Sequence, residues 1–412
     1  MKGNLKAVGI VLLAAFWLLI VSLSWSSEPY WPDAAGYTSH VAGNRWVAHP
    51  PGYPFFVWLG HGMHAAGLGA YAANQCASVF LTMAGVATAY LLARRYCGSG
   101  RALLLAGGLG FSWLTLTIVQ TGTSHAADLF TVSFLLLAAI RLDGGRPGWG
   151  RAAVFGVAMV VCAGFRFTTL LMMGPLLLCV AWENRRWARF WVACVGAGLT
   201  VVLLQCWVIG ESVGYAEYSA YSGAMHEANA FSSIVLKGIT PASLVNVFRA
   251  GLWTVLGALV FLCIVGLKAR PVEGSERTAV IYGAAASLGC FGVAAFYLCT
   301  HPGYLAAALP GLILVAAVMW GRQPGFVGVP AICAAVLGPV MFMVIRPYSE
   351  PQQRTRAIAN GLLLQYGMTG ARHGIFKTTS GWLREAGFER DIPANRLEDL
   401  RSEAEKERAA GR

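Results

Sequence analysis

The sequence predicts an all-α polytopic membrane protein with about eleven transmembrane helices and a large first outer loop of short interfacial helices. Three observations point there. Of 412 residues, 57% are hydrophobic and only 12% charged, whereas a soluble domain carries about 25% charged residues. The apolar residues gather into runs of spanning length, about 20 residues each. The basic residues sit between those runs in a one-sided pattern. The 49 glycines suit helices packed in lipid, where small residues let backbones approach. The formal charge of +12 does not indicate a nucleic-acid partner, because the cations lie in short connectors and in a terminal tail.

The first run, MKGNLKAVGIVLLAAFWLLIVSLSW, has the basic start of a signal peptide. It is long, and no clean small-x-small cleavage site follows before the polar loop, so it reads as a retained helix, Leu5–Ser24. The further spans are Tyr71–Ala93, Ala102–Val119, Ala126–Leu142, Ala152–Phe165, Thr168–Trp182, Phe190–Ile209, Leu244–Leu267, Thr278–Cys299, Tyr304–Trp320 and Phe326–Ile345. Ala152–Phe165 and Thr168–Trp182 are short and also read as one broken unit. Phe55–Ala70 is apolar but interrupted by Gly60, His61, Gly62, His64 and Gly67. It is expected to lie on the outer surface or dip into it rather than cross.

Charge tests that layout. With the N-terminus inside, Lys2, Lys6, Arg94, Arg95, Arg101, Arg141, Arg146, Arg151, Arg185, Arg186, Arg189, Lys268, Arg270, Arg277 and Arg322 all fall inside, and only Arg45, Arg166, Lys237 and Arg249 fall outside before residue 346. This is the positive-inside bias, and it would collapse if Phe55–Ala70 spanned. The chain thus divides into a membrane domain, 1–345, whose outer loop 24–70 carries the candidate site, and a mixed-charge tail, 346–412, expected outside. All eight histidines then lie on the outer side, with Asp33, Asp128, Glu211, Glu217 and Glu227. The ten cysteines lie in or beside apolar runs without metal-ligand or CxxC spacing and read as packing residues. No phosphate-binding loop, dinucleotide fingerprint, HExxH or GxSxG elbow is present.

The outer loop concentrates the chemistry. Asp33 follows Pro29-Tyr30-Trp31-Pro32, and Tyr37 comes four residues later. Asp33 reads either as an acid capping a short interfacial helix or as a general base for a hydroxyl proton. His49-Pro50-Pro51-Gly52-Tyr53-Pro54 predicts a stiff corner, since three prolines exclude a helix and Gly52 permits a tight turn. That corner would place His49 and Tyr53 beside Asp33. Arg166, in Gly164-Phe165-Arg166-Phe167, is either a snorkelling cation or a functional one. His125 and Asp128 share a helix face; they read as a ligand or relay pair, or Thr123-Ser124-His125 reads as a helix-start cap with the acid favouring the helix dipole. His301-Pro302-Gly303-Tyr304 reads as a turn or as a second wall of the same cavity. Tyrosines of Gly210–Ser243 read as interface anchors or as sugar-stacking groups.

Asp33-x-x-x-Tyr37, the His49–Pro54 cluster, an apolar helix and a span ending in Arg94-Arg95 resemble the start of the protein O-mannosyltransferase-like membrane family, within the C-type-fold glycosyltransferases. The resemblance covers roughly Asp33–Arg95. It implies a sugar donor linked to polyprenyl phosphate and Asp33 as the catalytic acid position. The chain departs from the family's Asp-Ser-Gly-Glu, carrying Asp33-Ala34-Ala35-Gly36 and hence no second carboxylate there. No cofactor is indicated for certain, and a divalent metal stays open.

The expected activity is transfer of a monosaccharide from a polyprenyl-phosphate donor to a hydroxyl of an envelope lipid, glycan or protein. The site would lie on the periplasmic or outer face of the inner membrane, with the N-terminus cytoplasmic. Asp33 is the expected base; Tyr37, Arg45, His49, Tyr53, His125, Asp128, Arg166 and His301 are expected to bind substrate. The departing phosphate requires cations, with Arg166 first among them. The alternatives are a transporter or flippase-like protein and a silent relative that binds lipid-linked sugar.

Overall fold

The computed structural model describes residues 32–46, 52–119, 121–142, 147–211, 233–265, 272–297 and 303–321, with a few single positions elsewhere (14, 15, 17–19, 21, 22, 215, 218, 219 and 338). The described residues are helical throughout, with no strand among them. Two short helices, α1 (Pro32–Ala42) and α2 (Pro54–Ala65), precede α3 (Ala70–Ala93), α4 (Ser99–Gly110), α5 (Trp113–Val119) and α6 (Ala126–Leu142). Then come α7 (Trp149–Met172), α8 (Gly174–Asn184), α9 (Ala188–Glu211), the single turn α10 (Ile234–Lys237), α11 (Pro241–Val265) and α12 (Gly274–Gly292). A π-helical turn, Val293–Tyr297, extends α12, and α13 (Gly303–Ala306) and α14 (Leu309–Gly321) close the order.

Among the described residues five segments are, by length and composition alone, long and apolar enough to cross a membrane: α3, α7 counted through its break at Arg166, α9, α12 with its π turn, and α13 with α14. The chain is an integral membrane protein. Helix α6 has the bounds the sequence predicts, and α3, α9, α11, α12 and α14 lie within a few residues of theirs. Phe326–Ile345, the tail and most of Leu5–Ser24 lie outside the described residues. Helix α2 has twelve residues, about 18 Å of rise, too short to cross and in keeping with a surface helix.

Ala102–Val119 is not the straight span the sequence suggests. It is α4 and α5, bent by 56°. Ser112 Oγ accepts from Thr115 N–H at 3.1 Å, an N-cap that starts a second helix. All seven residues of α5 are buried.

Small residues bring the remaining helices together. A Cβ on Gly283 of α12 would lie 2.6 Å from Gly311 O of α14, and one on Gly311 would lie 2.4 Å from Gly283 O. Backbone therefore packs on backbone at that crossing. We expect Gly283→Leu to prise α12 from α14 and lower the melting temperature measured in detergent, with a cost at the upper end of overpacking, about 3 kcal/mol.

The chain reverses inside α7. Arg166 has φ −160° and ψ 99°, so one extended residue separates the helix before it from the helix after it. The segment after the break returns to the end where α7 began. Arg189, just past α8, lies over the ring of Trp149 at the start of α7, 5.5 Å from its centroid. Arg166 is therefore the apex of two antiparallel arms. The same end of the bundle receives Phe55, edge-on to Phe165 at 5.7 Å, and Trp207 of α9 against Trp58 at 5.5 Å. At the opposite end Arg101 donates to Trp320 O at 2.6 Å, and Arg94, Arg141, Arg151, Arg185, Arg186 and Arg189 lie at the corresponding helix ends. One end is basic; the other carries the candidate site.

Candidate active site

The site forms where α1, α2, the turn before α6, the apex of α7 and the start of α13 meet. Asp33 is in the first turn of α1, half-buried, one helical turn before Tyr37 on the same face. Tyr37 is fully buried, and its hydroxyl is 2.9 Å from Ser124 Oγ. Its ring meets Tyr53 edge-on at 5.5 Å and Phe56 at 5.0 Å. Burial pushes the phenols of both Tyr37 and Tyr53 up, and the charge of Asp33 pushes each the same way. Both stay protonated, so each can donate a hydrogen bond.

Tyr53 is the residue before α2, which begins at Pro54. It has φ 48° and ψ 47°, the left-handed region that costs a non-glycine residue of order 1–3 kcal/mol. The cost is met by locking its ring against Tyr37. Gly52 before it has φ 105°, and a Cβ there would lie 2.3 Å from Val208 Cγ1. Gly52→Ala is expected to cost more than about 1 kcal/mol and to displace Tyr53; loss of its contact with Tyr37, read by tyrosine fluorescence, checks this.

The electrostatic centre is one buried ion pair. Arg166 Nη1 donates to Asp128 Oδ2 at 2.7 Å, and Thr169 Oγ1 donates to Asp128 Oδ1 at 2.6 Å. Both charged side chains are buried. The guanidinium also lies over the ring of Tyr304, 4.5 Å from its centroid, a cation–π contact. Arg166 Nε has no hydrogen-bond partner among the described residues. Arg166 is thus not a snorkelling cation: it is 1% exposed and paired. Asp128 lies in the first turn of α6, as the helix-dipole reading expects, but its oxygens bond to Arg166 and Thr169 rather than to backbone N–H groups. The turn entering α6 is closed by the carbonyls of Thr123, Ser124 and His125 instead.

His125 completes the wall. Its ring meets Tyr304 at 5.0 Å, and Gly303 passes so close that a Cβ would lie 2.3 Å from His125 Cγ. Nδ1 is 3.8 Å from Asp128 Oδ2, too long for a hydrogen bond. Burial first, then the Arg166 charge, holds this imidazole well below its ordinary range, against an opposing backbone hydrogen bond with Gly303. The unfolded chain takes up that proton below about pH 6.5. Stability should therefore be full above that value and fall as pH drops through the window beneath it, toward the folded value. His125→Gln should flatten this acid loss in thermal melts taken in detergent at a series of pH values.

The structure brings Asp33, Tyr37, Tyr53, His125, Asp128 and Arg166 together. Arg45, also expected there, is exposed past the end of α1, where its carbonyl is 2.8 Å from His61 Nε2. His49 and His301 lie outside the described residues, although Gly303 and Tyr304 beside His301 do form one wall. Ser124, read from the sequence only as part of a cap, and Thr169, not singled out by it, also belong to the site. Thr169 lies three residues after Arg166, in the helix that follows the break. Among the described residues no group of three or more His, Cys, Asp or Glu is placed to hold a metal ion.

This arrangement, broken and bent spans capped at one end by short helices α1 and α2, is the C-type fold. The chain is similar in structure to ArnT from Cupriavidus metallidurans. Against the apo crystal structure the TM-score is 0.60 at 17% identity, covering 96% of this chain and 77% of that one. Against ArnT bound to undecaprenyl phosphate the TM-score is 0.52 at 17% identity, covering 92% and 76%. At such identity the likeness is one of fold. No protein-family model and no curated protein matches the sequence.

Proposed function

We propose that the protein is a membrane glycosyltransferase that moves a monosaccharide from a polyprenyl-phosphate donor to an acceptor hydroxyl. The observation that carries this reading is the convergence of a half-buried carboxylate, Asp33, with a paired, buried guanidinium, Arg166, at one end of a C-type fold. The ArnT structure with undecaprenyl phosphate adds that this fold accommodates a lipid phosphate.

The chemistry needs two things of the protein. Asp33 accepts the proton of the acceptor hydroxyl as its oxygen bonds to the anomeric carbon. The bond from that carbon to the phosphate oxygen breaks with inversion, and its electron pair leaves with polyprenyl phosphate. Arg166 offsets the charge that develops there. Asp128, itself held by Thr169, holds Arg166 through Nη1, leaving Nε to meet the phosphate. Tyr37 and Tyr53, kept protonated, offer donors beside Asp33. A divalent metal, if used, has Asp33 and Asp128 as the carboxylates nearest the site. The site end is placed on the periplasmic or outer side of the inner membrane, with the N-terminus cytoplasmic, supported by the cations gathered at the other end. The tail, 346–412, is placed outside as a separate unit. The acceptor is an envelope lipid, glycan or protein.

Incubating purified protein with polyprenyl-phosphate monosaccharides carrying labelled sugar tests this. Label bound covalently to an envelope acceptor, with release of polyprenyl phosphate, is the expected result. Label that crosses a vesicle still attached to its lipid would indicate a flippase instead. Bound donor with no release would indicate a silent binder.

A further inference from the structure

The basic end of the bundle carries a feature that sugar transfer does not use. Trp149 at the start of α7, Trp182 near the end of α8 and Trp191 in the first turn of α9 are 56%, 66% and 44% exposed. Arginines accompany them. Arg185 lies 4.2 Å from the Trp182 ring centroid and Arg189 lies over Trp149. Trp191 Nε1 donates to Arg185 O at 3.0 Å, tying the α8–α9 turn to the indole. Arg151 and Arg186 are exposed beside them, and Glu183 is the acid among these helix ends. The patch is strongly positive.

From Trp149 a groove of about 490 Å³ runs between α7 and α9, lined by Gly156, Val160, Ala193, Gly196 and Thr200 among others. None of its lining residues is charged. Its volume lies within the range of small-molecule sites, and its walls are alkyl and backbone. Small residues set its depth: a Cβ on Gly156 would already lie 3.0 Å from Ala193 O. The two ends differ. One opens on Trp149 and the arginines; the other stops at Phe55, whose ring is tilted against Trp58 and edge-on to Phe165.

We infer that this groove holds one acyl chain of an anionic phospholipid, whose headgroup lies on Arg151, Arg185 and Arg189. Charge complementarity selects the occupant, since basic pockets between transmembrane helices at this kind of end take anionic headgroups. The indoles sit at headgroup depth beside it. The arm Trp149–Phe165 rises about 25 Å, so a donor whose phosphate meets Arg166 cannot also place that phosphate on Arg189. On the transfer reading, on which this one exclusion rests, the lipid is therefore not the donor; the groove and the charge that carry the inference stand without it.

The test uses the full chain in phosphatidylcholine nanodiscs containing trace phosphatidylglycerol with a diazirine near the middle of one acyl chain. Crosslinks should fall on α7 and α9 peptides and exceed those from the matched phosphatidylcholine probe. Arg151→Gln, Arg185→Gln and Arg189→Gln should each lower phosphatidylglycerol labelling roughly fivefold. Gly196→Leu, which has open space at its Cβ, should block chain labelling; if that variant fails to fold, the arginine substitutions decide. Equal labelling by the two probes would overturn the inference and leave only an interfacial belt. Competition by polyprenyl phosphate but not by phosphatidylglycerol would overturn it too, assigning the groove to the donor tail.

Discussion

Asp33→Asn is expected to abolish sugar transfer while the protein inserts and folds as before. A positioned general base contributes roughly 10²–10⁴-fold in rate, and the amide cannot take the acceptor's proton. The structural cost is small. Asp33 lies in the first turn of α1, where a carboxylate favours the helix dipole by about 0.3–1 kcal/mol, and asparagine keeps its size. Initial rates with a labelled donor and melting temperatures in detergent separate the two effects. Activity within a few-fold of wild type would move the base elsewhere. Loss of folding with activity would make Asp33 a helix-start residue.

The second large effect belongs to the Asp128–Arg166 pair. Removing one partner of a buried ion pair leaves an uncompensated charge and costs about 3–5 kcal/mol. Arg166→Met alone should destabilise by that much, because Asp128 is fully buried and would keep only Thr169. Asp128→Leu alone should do the same by stranding the guanidinium. The double variant removes both charges, and well-packed apolar replacements of buried pairs are often neutral. Its stability should return toward wild type, a coupling that a double-mutant cycle reads directly. Its transfer activity should not return, because no cation remains for the departing phosphate. Recovery of activity along with stability would show that the pair serves the fold alone.

How much of this was legible in sequence follows from which interactions are local. Spans and their ends are written in runs of apolar residues and in flanking arginines, so α6 and most of its neighbours fall where the pattern puts them. The bend between α4 and α5 is written less plainly. Ala102–Val119 has no proline, and its signal is one serine, Ser112, capping Thr115 after a glycine-rich stretch. Asp33 and Tyr37 were legible because one helical turn fixes their spacing, and Tyr53 because it precedes the proline that starts α2. The role of Asp128 was not. From the chain alone it is an acid at a helix start, since its partners, Arg166 and Thr169, lie 38 and 41 residues away. Only the reversal at Arg166 brings them to it. Arg45 shows the opposite failure: proximity in sequence to Asp33 suggested a shared site, but the end of α1 carries it outward. The C-type fold, implied by the motifs of one short region, extends through the helices that follow, where no motif announces it.

An experimental structure with polyprenyl phosphate bound puts the central proposal to its most direct test. The account predicts the phosphate within hydrogen-bonding distance of the Arg166 guanidinium, with the Asp33 carboxylate facing the space its sugar would fill. A phosphate held at the basic end, or one with Arg166 still sealed beneath Tyr304 and out of reach, would contradict it.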